Sequence, residues 1–154
     1  MKKLVIMSDN HGFDEMIDYV YNKEKDADFY IHCGDSETYY PHKLTGWIAV
    51  KGNNDWAIDL PKSAIFEVEG MRILVMHGQN FGYFNREYVM NDLCTTNNCQ
   101  ILISGHTHMP MFQVDGDFYY INPGSTTLPR GGSKPSYAVV TIDNKVVKYS
   151  LKNI

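Results

Sequence analysis

Leu4-Val5-Ile6-Met7-Ser8-Asp9-Asn10-His11-Gly12 is an apolar run that stops at a cluster of polar, metal-type side chains, and with the segment beyond it this stretch decides the fold. Past Gly12, the residues Phe13, Met16, Ile17, Val20 and Tyr21 recur at helical spacing, with Asp14 and Glu15 in the first turn, where the helix dipole favours acids. A strand over 3–8, this helix and a second apolar run, Phe29–His32, make a strand-helix-strand unit. Such a unit calls for parallel strands joined by a right-handed crossover. The same ending then recurs down the chain. Phe29–His32 runs into Gly34-Asp35, and Trp47–Val50 into Gly52-Asn53-Asn54-Asp55. Ile73–Met76 runs into His77-Gly78, and Ile101–Ile103 into Gly105-His106-Thr107-His108. Strands that all release such side chains at one edge gather them in one place.

From residue 64 the pattern changes. Ala64–Glu69 and Met71–Met76 flank Gly70 as a hairpin, a helix is expected near 85–95, and a strand at 100–103 leads into the Gly105 cluster. Met111–Val114 and Phe118–Ile121 flank Asp115-Gly116-Asp117, and Tyr137–Ile142 and Val146–Ser150 flank Asp143-Asn144, two further hairpin signals. Parallel units first and antiparallel hairpins later predict an α/β chain with two mixed sheets packed face to face and helices outside. At 154 residues, without repeat or linker, it reads as one domain, 1–154, large enough for a real core.

Composition narrows the function classes. A net charge of −4 with scattered Lys and Arg provides no basic face, so no stable nucleic-acid partner is expected. Leu4–Met7 is too short for the apolar part of a signal peptide or for a membrane span, so no membrane association is expected. Cys33, Cys94 and Cys99 are odd in number and form no Cys-x-x-Cys, which fits a reducing cytoplasm. A homo-oligomer is compatible with all of this.

The chemistry lies in the strand-end clusters. Asp9 and His11 are two apart, as are His106 and His108. In extended backbone, residues two apart point the same way, so each pair is expected to reach one ion. Asp35 follows a glycine, and its two oxygens suit a bridge between cations ~3.5–4 Å apart. Asn53 offers a neutral oxygen and His77 a further imidazole. Asp9, His11, Asp35, Asn53, His77, His106 and His108 make seven ligands, more than the four of a closed structural zinc site. That number suits two divalent ions. Nitrogen and oxygen donors without thiolate favour Mn²⁺, Fe²⁺ or Zn²⁺ over Ca²⁺ and over an iron–sulfur cluster; Mn²⁺ is the first expectation, with Fe, Zn or Ni as alternatives. Two cations sharing a water would make hydroxide available near neutral pH and clamp the oxygens of a phosphate. In that reading Asp35, Asn53 and His77 carry catalysis through the shared hydroxide, with no protein nucleophile.

These motifs resemble the calcineurin-like metallophosphoesterase superfamily, most closely its small single-domain bacterial and archaeal phosphodiesterases. Asp-x-His, Gly-Asp, Gly-Asn-x-Asp, His-Gly and Gly-His-Thr-His stand in that family's order, and Asn122-Pro123-Gly124-Ser125 and Pro129-Arg130-Gly131-Gly132 also match the branch. The resemblance runs end to end. It implies a four-layer α/β/β/α sandwich of two mixed sheets flanked by helices, with metals at the strand ends. By motif position it implies one ion held by Asp9, His11, Asp35 and His108, and another by Asp35, Asn53, His77 and His106. Many members carry His after the metal-binding Asn, where it can protonate the leaving group; here that residue is Asn54. Without an acid there, a good leaving group such as an aryl or nucleoside phosphate oxygen is expected.

Asn54 and Arg130 are the candidate substrate contacts, Arg130 reading equally well as decoration of a Gly-rich loop. Asp55, Asn122 and Ser125 are expected to hold the ligands by hydrogen bonds from beneath. His32, inside an apolar run, reads as a hydrogen-bonded core histidine, and His42 matches no ligand position. Tyr39, Tyr40, Trp56, Phe81 and Tyr83 sit in loops near the motifs as a candidate substrate wall. The leading function is hydrolysis of a small or nucleotide-like phosphodiester. The alternatives are a phosphomonoesterase on the same site, or a metal-poor interaction scaffold of the same fold. Competent residues at every ligand position disfavour the scaffold.

Overall fold

A computed structural model describes residues 1–154. The chain runs β1 (Lys2–Met7), α1 (Glu15–Lys23), β2 (Phe29–His32), a 3₁₀ turn (Pro41–Leu44), β3 (Trp47–Ala49), β4 (Ser63–Val68), β5 (Met71–Met76), α2 (Arg86–Thr96), β6 (Ile101–Ile103), β7 (Met111–Asp115), β8 (Phe118–Asn122), β9 (Ser136–Asp143) and β10 (Val146–Asn153). One sheet has the order β10-β9-β1-β2-β3, the other β4-β5-β6-β8-β7. The crossover through α1 places β2 parallel to β1, with Val5 opposite Tyr30 and Ile6 opposite Ile31. In the second sheet β5, β6 and β8 are parallel, edged by the antiparallel β4 and β7. Both sheets are mixed, as expected.

Strand alternation makes the layers. Along β1, Leu4 and Ile6 point between the sheets, where they meet Ile73, Val75, Ile101, Ile103 and Ile121 of the other sheet. Val5 and Met7 point outward and pack under Ile17 and Val20 of α1. Leu74, Leu102 and Tyr120 do the same on the far side, beneath Met90 and Cys94 of α2. A strand covered on both faces has no solvent side, which is why residues 4–7 read as an unbroken apolar run. The result is the four-layer α/β/β/α sandwich. No helix is long and apolar enough to cross a membrane.

Element ends differ from the sequence expectation in small ways. α1 starts at Glu15, because Asn10, Phe13 and Asp14 are spent on a turn whose carbonyls accept from Phe13, Met16 and Ile17. The last hairpin turns at Asn144-Lys145, one residue later than Asp143-Asn144. Asp143 pairs with Val146, and the two turn residues take positive φ of 47° and 63°, as a type I′ turn demands.

Candidate metal centre

Loops after β1, β2, β3, β5 and β6 bring the candidate ligands together, but not through extended backbone. Asp9 and His11 have φ of 56° and 45°, and His106 and His108 have φ of 71° and 61°. The chain coils left-handed as it leaves each strand, which turns Asp9 and His11 toward one point but parts the other pair: His108 joins Asp9 and His11, and His106 stands beside His77 and Asn53. Asp35 is left-handed as well, at φ 57°. Two glycines permit the crowding. A Cβ on Gly52 would fall 2.0 Å from Asp35 Oδ1, and one on Gly105 would fall 2.0 Å from Ser8 Oγ and 2.7 Å from Asp9 Oδ2.

Asp9 Oδ1 lies 3.3 Å from His108 Nε2, 3.6 Å from His11 Nε2 and 3.8 Å from His77 Nε2. His77 Nε2 is also 3.3 Å from Asp35 Oδ2. Ligand atoms of Asp9, His11 and His108 lie within 4.8 Å of one another, as do those of Asp9, Asp35 and His77. Asp9 thus belongs to both groups. His106 Nδ1 and Asn53 Oδ1 are 3.2 Å apart at the exposed rim, and the His106 ring stands edge-on to His77 at 5.2 Å.

The imidazoles are oriented from behind. His77 Nδ1 donates to the Cys33 carbonyl at 2.8 Å, His108 Nδ1 to the Leu128 carbonyl at 2.6 Å, and His11 Nδ1 to the Glu37 carboxylate at 3.0 Å. With those protons committed, each Nε2 presents a lone pair inward. Two of them, on His11 and His108, face each other at 3.1 Å beside the Asp9 carboxylate. Asp9 Oδ1 and His77 Nε2 are buried without any hydrogen-bond partner. Converging lone pairs and orphaned buried acceptors are what a divalent cation satisfies, so the residues fit the metals the motifs imply.

Charge couples these groups. Burial works to raise the Asp9 carboxyl, but the imidazoles of His108 and His11 outweigh it and hold it far below the ordinary range. Asp35 is likewise lowered, its burial overcome by His77. The Asp9 carboxylate pushes His11 up to about 9. His106 is lowered, by burial and by the charge on His77.

The supporting set is denser than expected. Asp55 accepts from the backbone N–H groups of Asp35, Gly52 and Glu37, tying the loops after β2 and β3 together. Ser125 Oγ donates to the Asp9 carbonyl, and Asn122 Nδ2 to the Gly105 carbonyl and the Thr107 hydroxyl. Buried His32 donates from Nε2 to Asn10 at 2.7 Å and accepts the Gly34 N–H at Nδ1, and burial pushes its pKa down to about 4. Sequence reasoning missed Glu37, although it follows Asp35 at the same two-residue spacing as His11 follows Asp9. It also did not foresee that Asn54 is occupied. The Asn54 backbone N–H donates to Asp35 Oδ1 at 2.8 Å and its side-chain amide to Oδ2 at 3.1 Å.

Beside His106 opens a cavity of about 550 Å³ that Arg130 also lines. Of the aromatic wall, Tyr39, Tyr40, Trp56 and Tyr83 are exposed, but Phe81 is buried against Leu74, Met90 and Leu102, because its ring closes the layer under α2. His42 sits on the exposed 3₁₀ turn against Tyr40.

A sequence model of the calcineurin-like phosphoesterase superfamily domain matches residues 1–145. The probable metallophosphoesterase YsnB of Bacillus subtilis is 34% identical over 147 residues, 92% of this chain and 85% of that protein. Phosphodiesterase YfcE of Escherichia coli is 34% identical over 114 residues, 69% of this chain and 55% of that protein. A conserved predicted phosphoesterase from Streptococcus pneumoniae superposes with a TM-score of 0.90 at 28% identity, covering 99% of this chain and 89% of that one.

Proposed function

The chain belongs to the calcineurin-like phosphoesterase superfamily, and from that premise we propose that its reaction is hydrolysis of a small or nucleotide-like phosphodiester with two divalent ions, Mn²⁺ in the first instance. The coarser activity, metal-dependent hydrolysis of a phosphoester, is what its relatives' names carry. The observation behind the finer reading is the pair of ligand groups that share buried Asp9, with two of their buried atoms unpartnered. By motif position Asp9, His11, Asp35 and His108 would hold one ion and Asp35, Asn53, His77 and His106 the other, with Asp9, whose Oδ1 also lies 3.8 Å from His77 Nε2, standing between them.

Bound divalent cations supply a lowered water pKa and positive charge against the phosphoryl oxygens. The chain's own residues do the rest. The carbonyls of Cys33 and Leu128 and the carboxylate of Glu37 fix three imidazoles in one tautomer. Asn54 holds both oxygens of Asp35, so its amide is not free to face a leaving group. No acid stands at that position, and the departing oxygen has to be a stable anion. Arg130, at the mouth of the cavity, would meet the phosphate or the group attached to it. A diester is supported by the name of the E. coli relative and by a cavity of about 550 Å³ next to His106, room enough for a second ester arm.

Elemental analysis followed by a phosphoester panel with Mn²⁺ tests this. Bis(p-nitrophenyl) phosphate should exceed both p-nitrophenyl phosphate and a dialkyl phosphate by about tenfold or more in kcat/KM, a difference of ~1.4 kcal/mol in barrier. A preference for the monoester would replace the diester reading. No turnover of any ester by metal-loaded protein would remove the enzymatic one.

A further inference from the structure

Arg86, at the start of α2, carries a positive charge for which the metal centre has no use. Its Nη2 is buried and has no hydrogen-bond partner. The guanidinium carbon stands 5.2 Å from the Phe81 ring centroid, a cation–π contact that satisfies none of its N–H donors. No carboxylate lines the cavity into which Arg86 is built; Arg130 does, together with Met109, Pro110 and Met111. The side chain is half-buried, and its one buried, unpartnered nitrogen costs free energy that a partner arriving in the cavity would recover. His106 and Gly78 line the same cavity, so it opens onto the metal centre.

We propose that this cavity receives the non-reacting arm of the substrate, and that Arg86, aided by Arg130, binds a second oxyanion on that arm. The preferred substrate is then a phosphodiester whose far end carries a terminal phosphate. The forked N–H pairs of a guanidinium match a phosphate, and the Met109–Met111 stretch suits the sugar or chain between the two charges. The inference rests on the phosphodiesterase reading above and adds to it the class of substrate.

Two substrates with one leaving group provide the test: thymidine 5′-(p-nitrophenyl phosphate), with and without a 3′-phosphate. The Mn²⁺-loaded protein should prefer the 3′-phosphorylated form by about tenfold in kcat/KM, mainly through KM, as one charged hydrogen-bonded contact allows. Arg86→Gln should bring that ratio close to one. Arg86→Lys keeps the charge without the fork, should give an intermediate ratio, and stands in if the Gln variant does not fold by circular dichroism. A second arm needs no metal. Calorimetric titration of chelator-treated protein with thymidine 3′,5′-bisphosphate should show binding that Arg86→Gln weakens about tenfold. Inorganic phosphate should bind far more weakly.

A ratio near one in the unaltered protein overturns the proposal, as does a ratio that survives in both Arg86 variants. Inorganic phosphate binding as tightly as the bisphosphate would make this a site for the free anion and overturn the substrate arm. If no diester is hydrolysed, the phosphodiesterase reading fails by itself. The titration then decides the oxyanion site alone: Arg86-dependent bisphosphate binding upholds it, and its absence ends it.

Discussion

Asp35 has both of its oxygens held by one neighbour, Asn54, whereas Asp9 keeps Oδ1 free of any hydrogen bond. Which carboxylate the two ions share is therefore a question for substitution. Asp35→Asn is expected to lower the content of both ions and nearly abolish hydrolysis. Asp9→Asn should lower mainly the ion held with His11 and His108, as elemental analysis would read. The reverse order would move the bridge to Asp9. Asn54→Ala removes the amide from Asp35 and should weaken metal affinity by about tenfold, measured by competition with a chromophoric chelator. Unaltered affinity would leave Asn54 free for another role. The seven candidate ligands were legible because each lies within a few residues of a strand end and a glycine. Their supports were less so. Glu37 behind His11, the Leu128 carbonyl behind His108 and Asn10 beside His32 are partners across 20 or more residues, and spacing along the chain carries no trace of such pairs.

Among the elements, the hairpins show what alternation can and cannot determine. Met111–Asp115 and Phe118–Asn122 end within a residue of expectation, because Gly116 marks the turn. At the last hairpin, Asp143, Asn144 and Lys145 are all acceptable turn residues, and only the pairing of Asp143 with Val146 selects the final two. Lys145 sits there at φ 63°, without the freedom of glycine. Lys145→Gly is expected to stabilise the fold by about 1 kcal/mol, raising the Tm by a few degrees. A lower Tm would show that the lysine side chain contributes more than its backbone costs. The left-handed coiling of the ligand loops was the feature least visible in the sequence. Asp and His tolerate positive φ better than most residues, but neither announces it.

For the whole molecule, metal and fold are coupled. Loops from both sheets meet at Asp9 and Asp35, and the Ser136 hydroxyl of β9 anchors Pro123 beneath them. Mn²⁺ at ~100 times its dissociation constant should add ~2.7 kcal/mol of stability. In a chain of this size that is about 5–10 °C in Tm, lost again on chelation. A Tm indifferent to Mn²⁺ would mean that the folded chain binds the ion no better than the unfolded one. The four layers were readable from composition and order, since a run buried on both faces has to be apolar throughout. Their docking was not: Tyr120, whose hydroxyl bonds Asn91 of α2, reads in sequence as an ordinary alternating strand residue.

Five of the seven candidate ligands occupy left-handed backbone: Asp9, His11, Asp35, His106 and His108. Each conformation costs about 1 kcal/mol that glycine would not incur. Selection for turnover and selection for a robust chain therefore pull in opposite directions at the same positions. A descendant released from catalysis would gain by drifting to Gly or Asn there, before its core changed at all. Wear at these loops, with the sandwich intact, is the mark by which a retired copy of this domain would be recognised.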